Sequence, residues 1–197
     1  MRAMSVGAGR EVVLAAVHLF TTRGYEATTM DDLAAATGMS RRSLFRRFGG
    51  KENVLFAEHD DLLATVERFL AASPDRPSDT VCAAARLVFQ AYVSAPTVTI
   101  DRHRLVRAHP RLRDREIAMT ARYQAAFSHY LSGGATDGRA LLSAEIFAAA
   151  VISAHNHVLR SWLRTPFPDR ADLTAGGEVW NRFDSAMAQV RATVPSP

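Results

Sequence analysis

A chain of 197 residues, 48% of them hydrophobic, can build a real core, which excludes general disorder. The formal net charge of +4 is mild, and a single cysteine, Cys82, rules out an internal disulfide and points to a reducing compartment. No window approaches the roughly 18 apolar residues of a membrane span, and MRAMSVGAGR at the start lacks the apolar centre of a signal peptide. The expectation is a cytoplasmic protein with no membrane partner.

Strand signals are nearly absent, because no alternating Val/Ile/Tyr run is bounded by turn residues. Helical signals recur. Residues 10–23 place Val13, Ala16, Val17 and Phe20 on one apolar stripe, and Gly24 ends that helix. Thr28 or Thr29, followed by Asp31 and Asp32, gives a cap-like start to a second short helix, which Gly38 closes. Ser40 caps a third that runs to about Phe48, and Gly49-Gly50 break it. Lys51-Glu52 open a longer fourth helix to about Ala72. SPDRPSD at 73–79 is turn-rich and is the best domain boundary. Helices follow at about 79–94, 97–108, 111–132, 138–164 and 177–193. The expected class is all-α with about nine helices. A three-helix domain at 10–50 precedes a larger helical domain at 51–195, with helix 51–72 connecting the two.

The two short helices joined by Thr37-Gly38-Met39 carry the chemistry, since the glycine permits a tight turn that presents the second helix outward. At 100° per residue, with Arg41 at 0°, Leu44 at about 300° and Phe48 at about 340° define a buried edge. Arg42 at about 100°, Arg46 at about 140°, Ser43 at about 200° and Arg47 at about 240° form the opposite, hydrogen-bond-donating arc. Such a face suits a major groove, where Arg forks onto guanine and Ser or Arg reaches phosphate. Residues 41–51 hold Arg41, Arg42, Arg46, Arg47 and Lys51 with no acid, although a run of charge is more commonly a solvated helix face.

VVLAAVHLF, GYEATTMDDLAAATGMS and RRSLFRRFGGKENVLF, over residues 12–56, resemble the DNA-binding region of the TetR family of bacterial transcriptional regulators almost residue by residue. The resemblance implies a homodimer that binds a palindromic double-stranded DNA operator and releases it when a small molecule enters the C-terminal domain. It implies that the residue at Thr29 caps a helix and touches phosphate, that Arg41, Arg42 and Ser43 face bases, and that Lys51 approaches the DNA backbone. The candidate DNA-binding set is Thr28, Thr29, Ser40, Arg41, Arg42, Ser43, Phe45, Arg46, Arg47 and Lys51. Two departures stand out. Phe45 replaces a usual tyrosine and cannot donate its hydroxyl, and Arg42 replaces a frequent glycine.

C-terminal domains of that family diverge, so the remaining expectations are looser. Ile146, Ala149, Ala150 and Ser153 make a small-residue stripe for a dimer of the helices at 138–164 and 177–193, unless the stripe packs within one chain. Phe89, Tyr92, Leu105, Met119, Tyr123, Phe127, Phe147, Val151 and His155 are pocket candidates pointing to a largely apolar effector, though such stripes are usually plain core. Residues 102–115, with six arginines and two histidines, suggest either an anion site or a solvated face. Cys82 reads as a buried small hydrophobe. His155 and His157 lie about 200° apart on a helix and cannot share an ion. Helix capping accounts for Asp31-Asp32 and solvent exposure for Asp60-Asp61. No catalytic, phosphate-loop or dinucleotide motif occurs, so no cofactor, metal or enzymatic role is expected. A helical enzyme or carrier with an incidental basic region, and a constitutive DNA binder with a filled core, are the competing classes.

Overall fold

The computed structural model describes residues 6–165 and 177–194. Among them are ten helices and no strand. They are α1 (Val6–Thr22), α2 (Met30–Thr37), α3 (Arg41–Phe48), α4 (Lys51–Val54), α5 (His59–Ala72), α6 (Pro77–Val93), α7 (Pro96–Ala108), α8 (Pro110–Ser132), α9 (Gly138–Arg164) and α10 (Glu178–Thr193). The all-α expectation holds. Most of the expected connector between the last two helices, residues 166–176, lies outside the described residues. Pro77, Pro96 and Pro110 each open a helix. The first helical position needs no backbone donor, and the fixed φ of proline is already helical there.

The expected single helix at 51–72 is two. Val54, Leu55, Phe56 and Ala57 are all buried. Four successive residues sweep about 300° of a helix, so one straight amphipathic helix cannot bury them together. The backbone tightens instead, with Phe56 N–H donating to the Asn53 carbonyl at 3.1 Å and Ala57 N–H to that of Val54 at 3.2 Å. These three-residue steps replace the four-residue ladder.

The chain forms two compact units that are not contiguous in sequence. Of the described residues, the first holds 6–65 and 95–119, the second 66–94, 120–165 and 177–194. These units run across the expected division at residue 50. The 73–79 connector lies inside the second unit rather than between the two, with Ser73 and Thr80 hydroxyls 3.0 Å apart across it. Helices α5 and α8 each begin in the first unit and end in the second.

In the first unit, α1 packs on α2, α4 and α7, and α3 on α2 and α4. The α1 stripe Val13, Ala16, Val17 and Phe20 is buried, as are Leu33, Leu44, Val54 and Leu55. Full burial of each large aliphatic or aromatic side chain is worth about 1.5–3 kcal/mol, so α3 is held by an apolar inner edge and keeps its outer face for other use. In the second unit, α6, α9 and α10 pack on one another. Contrary to the sequence expectation, α9 is long and apolar enough to cross a membrane, with an 18-residue window of mean hydropathy 1.2. Its stripe of Ala144, Phe147, Ala148, Val151, Leu159 and Trp162 is buried in the unit's own core.

Candidate nucleic-acid interface

The turn between α2 and α3 depends on Gly38, whose φ of 66° is left-handed. Open space surrounds it, so only backbone conformation makes glycine the fitting residue. On either side the helix starts are tied by side chains. Thr29 and Asp32 close a capping box: Thr29 Oγ1 accepts from Asp32 N–H at 3.2 Å, while Asp32 Oδ2 accepts from Thr29 N–H at 2.9 Å and from the Thr29 hydroxyl at 2.6 Å. The Thr29 hydroxyl, its N–H and the nearby Arg23 hold the Asp32 carboxyl below the usual carboxylate range. Arg23 reaches Asp32 at 2.9 Å and Arg41 reaches Asp31 at 3.2 Å, joining α2 to the end of α1 and the start of α3. Ser40 caps α3 by accepting from Ser43 N–H at 3.1 Å, and its own hydroxyl lies 2.9 Å from Ser43 Oγ.

With those ties in place, α3 divides as its periodicity requires. Leu44 and Phe48 are buried; Arg41, Arg42, Phe45, Arg46 and Arg47 are exposed. The four arginines are not equivalent. Arg41 is engaged by Asp31, and the Arg47 guanidinium lies 5.4 Å from the Phe48 ring centroid. Arg42 and Arg46 have no ion pair or ring partner among the described residues, and they occupy the centre of the outward arc. Ser43 stands beside them at intermediate exposure. Phe45 is half exposed and presents a bare aromatic ring at the edge of the arc.

Three of the expected DNA-contact residues are engaged within the folded chain. Thr28 is 1% exposed and its hydroxyl donates to the Gly24 carbonyl at 2.8 Å, so it belongs to the core. Thr29 is exposed, and its hydroxyl proton is directed to Asp32. Lys51 turns inward. Its Nζ donates to the carbonyls of Tyr25 at 2.6 Å, Glu26 at 3.2 Å and Thr28 at 3.3 Å. It also lies 4.3 Å from the Tyr25 ring centroid. An ammonium has three donors, and all three are spent fixing the loop between α1 and α2. Asn53, unremarked in the sequence, donates to the Phe48 carbonyl and caps the far end of α3. Tyr25 is the other missed residue. It is buried against Phe20, Lys51 and His109, and burial pushes its phenol up. Capping and clamping partners lie 5 to 26 residues away in sequence, where periodicity gives no signal.

Part of the basic stretch 102–115 is engaged inside the first unit. Arg102 is 5% exposed and pairs with Glu58 at 2.6 Å. Arg104 pairs with Asp101 at 3.3 Å, Arg113 donates to the Arg107 carbonyl at 2.8 Å, and His109 lies 4.0 Å from Glu26. Among the effector candidates, Leu105 and Met119 fall in the first unit, and the other seven fall in the second. Phe89, Tyr123, Phe127, Phe147 and Val151 are 0–5% exposed and packed as core. The structure brings Phe89, Tyr92 and His155 together in ring contact, at 5.6 Å and 6.1 Å from the histidine. Two clefts of the second unit are lined by other residues. One, of about 240 Å³, lies between α6 and α10, and one of about 470 Å³ lies between α5 and α8. Cys82 is buried, and burial pushes its thiol up.

Two short capped helices joined by a glycine turn, the second presenting Arg42, Ser43 and Arg46 on the face opposite its core, have the architecture of a helix-turn-helix. Residues 12–57 match the family model for bacterial regulatory proteins of the tetR family. The matched residues run from within α1 to just past α4. It is 27% identical over 151 residues to the protein named as mycofactocin biosynthesis transcriptional regulator MftR of Mycobacterium tuberculosis, a match covering 74% of this chain and 76% of that one. In fold it is similar to a tetR-family regulator from Syntrophomonas wolfei, with a TM-score of 0.62, 12% identity and 95% of each chain covered. It is similar also to FadR of Thermus thermophilus, a repressor of the family solved with lauroyl-CoA, with a TM-score of 0.53, 19% identity and 92% of each chain covered. These relatives are named as regulators and not as enzymes.

Proposed function

We propose that the chain is a cytoplasmic, ligand-responsive repressor. It acts as a homodimer on a palindromic operator and lets go when a small, largely apolar or amphipathic molecule occupies the second unit. The observation that carries this reading is the pair of unengaged guanidinium groups of Arg42 and Arg46 on the outer arc of α3. A planar guanidinium forks onto the two acceptors of guanine, and each such pair discriminates by about 1–3 kcal/mol. Arg41, Ser43, Phe45 and Arg47 flank that centre, with Ser40 setting the helix start.

Dimerisation is supported by the outer face of α9, where Leu142 and Ile146 are 57% and 50% exposed and continue into Ala149 and Ser153. Apolar side chains in line on an exposed helix suit a second copy of the same helix. Release is supported by the helices α5 and α8, which each run from the first unit into the second. A ligand that binds better to a form with displaced α5 and α8 lowers operator affinity by its differential affinity for the two forms. Lauroyl-CoA bound to the Thermus relative is a precedent for an amphipathic effector.

The test is fluorescence anisotropy with promoter DNA and with a scrambled duplex, at several salt concentrations. The expected outcome is saturable binding of the palindrome by two chains, with a steep fall of affinity in salt. Indifference to both sequence and salt would remove the repressor reading.

A further inference from the structure

A histidine on the buried face of a helix ordinarily finds partners for both ring nitrogens. His155 does not. It is 6% exposed, with Nδ1 3.3 Å from Asn156 Oδ1, and Nε2 is buried with no hydrogen-bond partner among the described residues. An amide oxygen can only accept, so Nδ1 carries the proton and Nε2 presents a bare lone pair. Burial keeps the imidazole neutral, with its pKa lowered to about 4. Around it stand the rings of Phe89, Tyr92 and Phe183, all steeply inclined to the imidazole and centred 5.6–6.1 Å away.

Phe183 has a second environment. It lines the cleft of about 240 Å³ between α6 and α10, together with Cys82 and Met187. Two ion pairs, Arg86–Asp184 and Arg191–Asp79, join the two helices at that cleft. A cavity of about 150 Å³ accommodates benzene, so the cleft has room for the Phe183 ring. Turning that ring into the cleft would open a ring-sized space beside His155, next to Phe89 and Tyr92.

We propose that His155 is the polar anchor of an aromatic-walled binding site in the second unit, and that the site takes a neutral, largely apolar molecule through one hydroxyl or N–H group donated to Nε2. The assignment rests on the effector reading above and adds the chemical class of the ligand. A carboxylate or phosphate is a poor match for this point, because the lone pair of a neutral imidazole repels an anion. An apolar ring with one donor satisfies both the walls and the lone pair.

The experiment uses the full chain and two probes of equal ring shape, 2-naphthol and its methyl ether 2-methoxynaphthalene, which lacks the donor. Titration calorimetry should give about tenfold tighter binding of 2-naphthol, which corresponds to one hydrogen bond to a group otherwise unpaired. His155→Phe keeps the aromatic volume and should reduce the preference to about one. In the wild-type chain with ¹⁵N-labelled histidine, 2-naphthol should shift the Nε2 resonance of His155 and the ether should not. That measurement stands whether or not the variant folds. Equal affinity for the two probes, a preference that survives in His155→Phe, an unmoved Nε2 resonance, or no binding of either probe would each overturn the assignment. Selective binding of 2-naphthol that leaves operator affinity unchanged would uphold the site and overturn the effector reading instead.

Discussion

The outer face of α3 and the inner face of α9 are both helix faces marked by side chains that α-helices do not need, and they are built on opposite terms. On α3 the unusual groups are charged and exposed, and two of the arginines have no ion pair or ring partner among the described residues. On α9 the unusual group is a polar ring in an aromatic cluster, sealed from water with one nitrogen unsatisfied. The first arrangement costs the fold almost nothing, because solvent hydrates a guanidinium well. The second lowers stability, because a buried unpaired acceptor loses its hydration without replacement. A face of the first kind is therefore open to change without unfolding, whereas a face of the second kind couples every change to the stability of the second unit.

That contrast makes its largest prediction in the aromatic cluster. Phe89 is fully buried and meets His155, Trp180 and Phe183. Phe89→Ala should cost about 3–5 kcal/mol in chemical denaturation, against less than about 0.5 kcal/mol for Arg46→Ala on the exposed arc. Comparable losses at both positions would erase the distinction.

The next effect depends on pH. An exposed imidazole titrates near 6.5, whereas burial, with a smaller contribution from Arg160, holds that of His155 down to about 4. Between those values the unfolded chain takes up a proton that the folded chain refuses, so stability falls as the pH drops from about 6.5 and levels off below about 4. The full loss is about 3 kcal/mol. His155→Phe should flatten that part of the profile. A profile unchanged by the substitution would show that the imidazole is not buried as described.

A smaller effect separates the clamp from the groove. Lys51→Ala leaves three carbonyls of the α1–α2 loop without their donor and should lower stability by about 1–3 kcal/mol. Because its ammonium is spent inside the fold, the salt dependence of DNA binding should keep its slope. A slope shallower by about one would return Lys51 to the phosphate backbone.

The uneven legibility of the chain follows from the same physics. The α3 arc was readable because eight residues with a 3.6-residue repeat fix which side chains share a face, whatever the rest of the fold does. The caps at Thr29 and Ser40 were readable for the same reason, since they act over three residues. The engagement of Lys51 was not legible because its partners, Tyr25, Glu26 and Thr28, are brought to it by the packing of α1 on α4. The break after Val54 was missed because a fully buried run of four residues carries no periodicity. The two units could not be read from chain order, since α7 joins the first after α6 has entered the second. His155 was legible as a polar residue on an apolar face, but its empty Nε2 depends on what Phe89, Tyr92 and Phe183 do not offer.

The central claim is that Arg42 and Arg46 read DNA from a surface on which the fold does not depend. The most direct measurement compares wild-type, Arg42→Ala and Arg46→Ala chains on operator and on scrambled DNA, alongside their thermal unfolding. The account predicts unchanged melting temperatures and a loss of about 1–3 kcal/mol in preference for the operator from at least one of the two variants. Wild-type affinity and preference in both variants would contradict it.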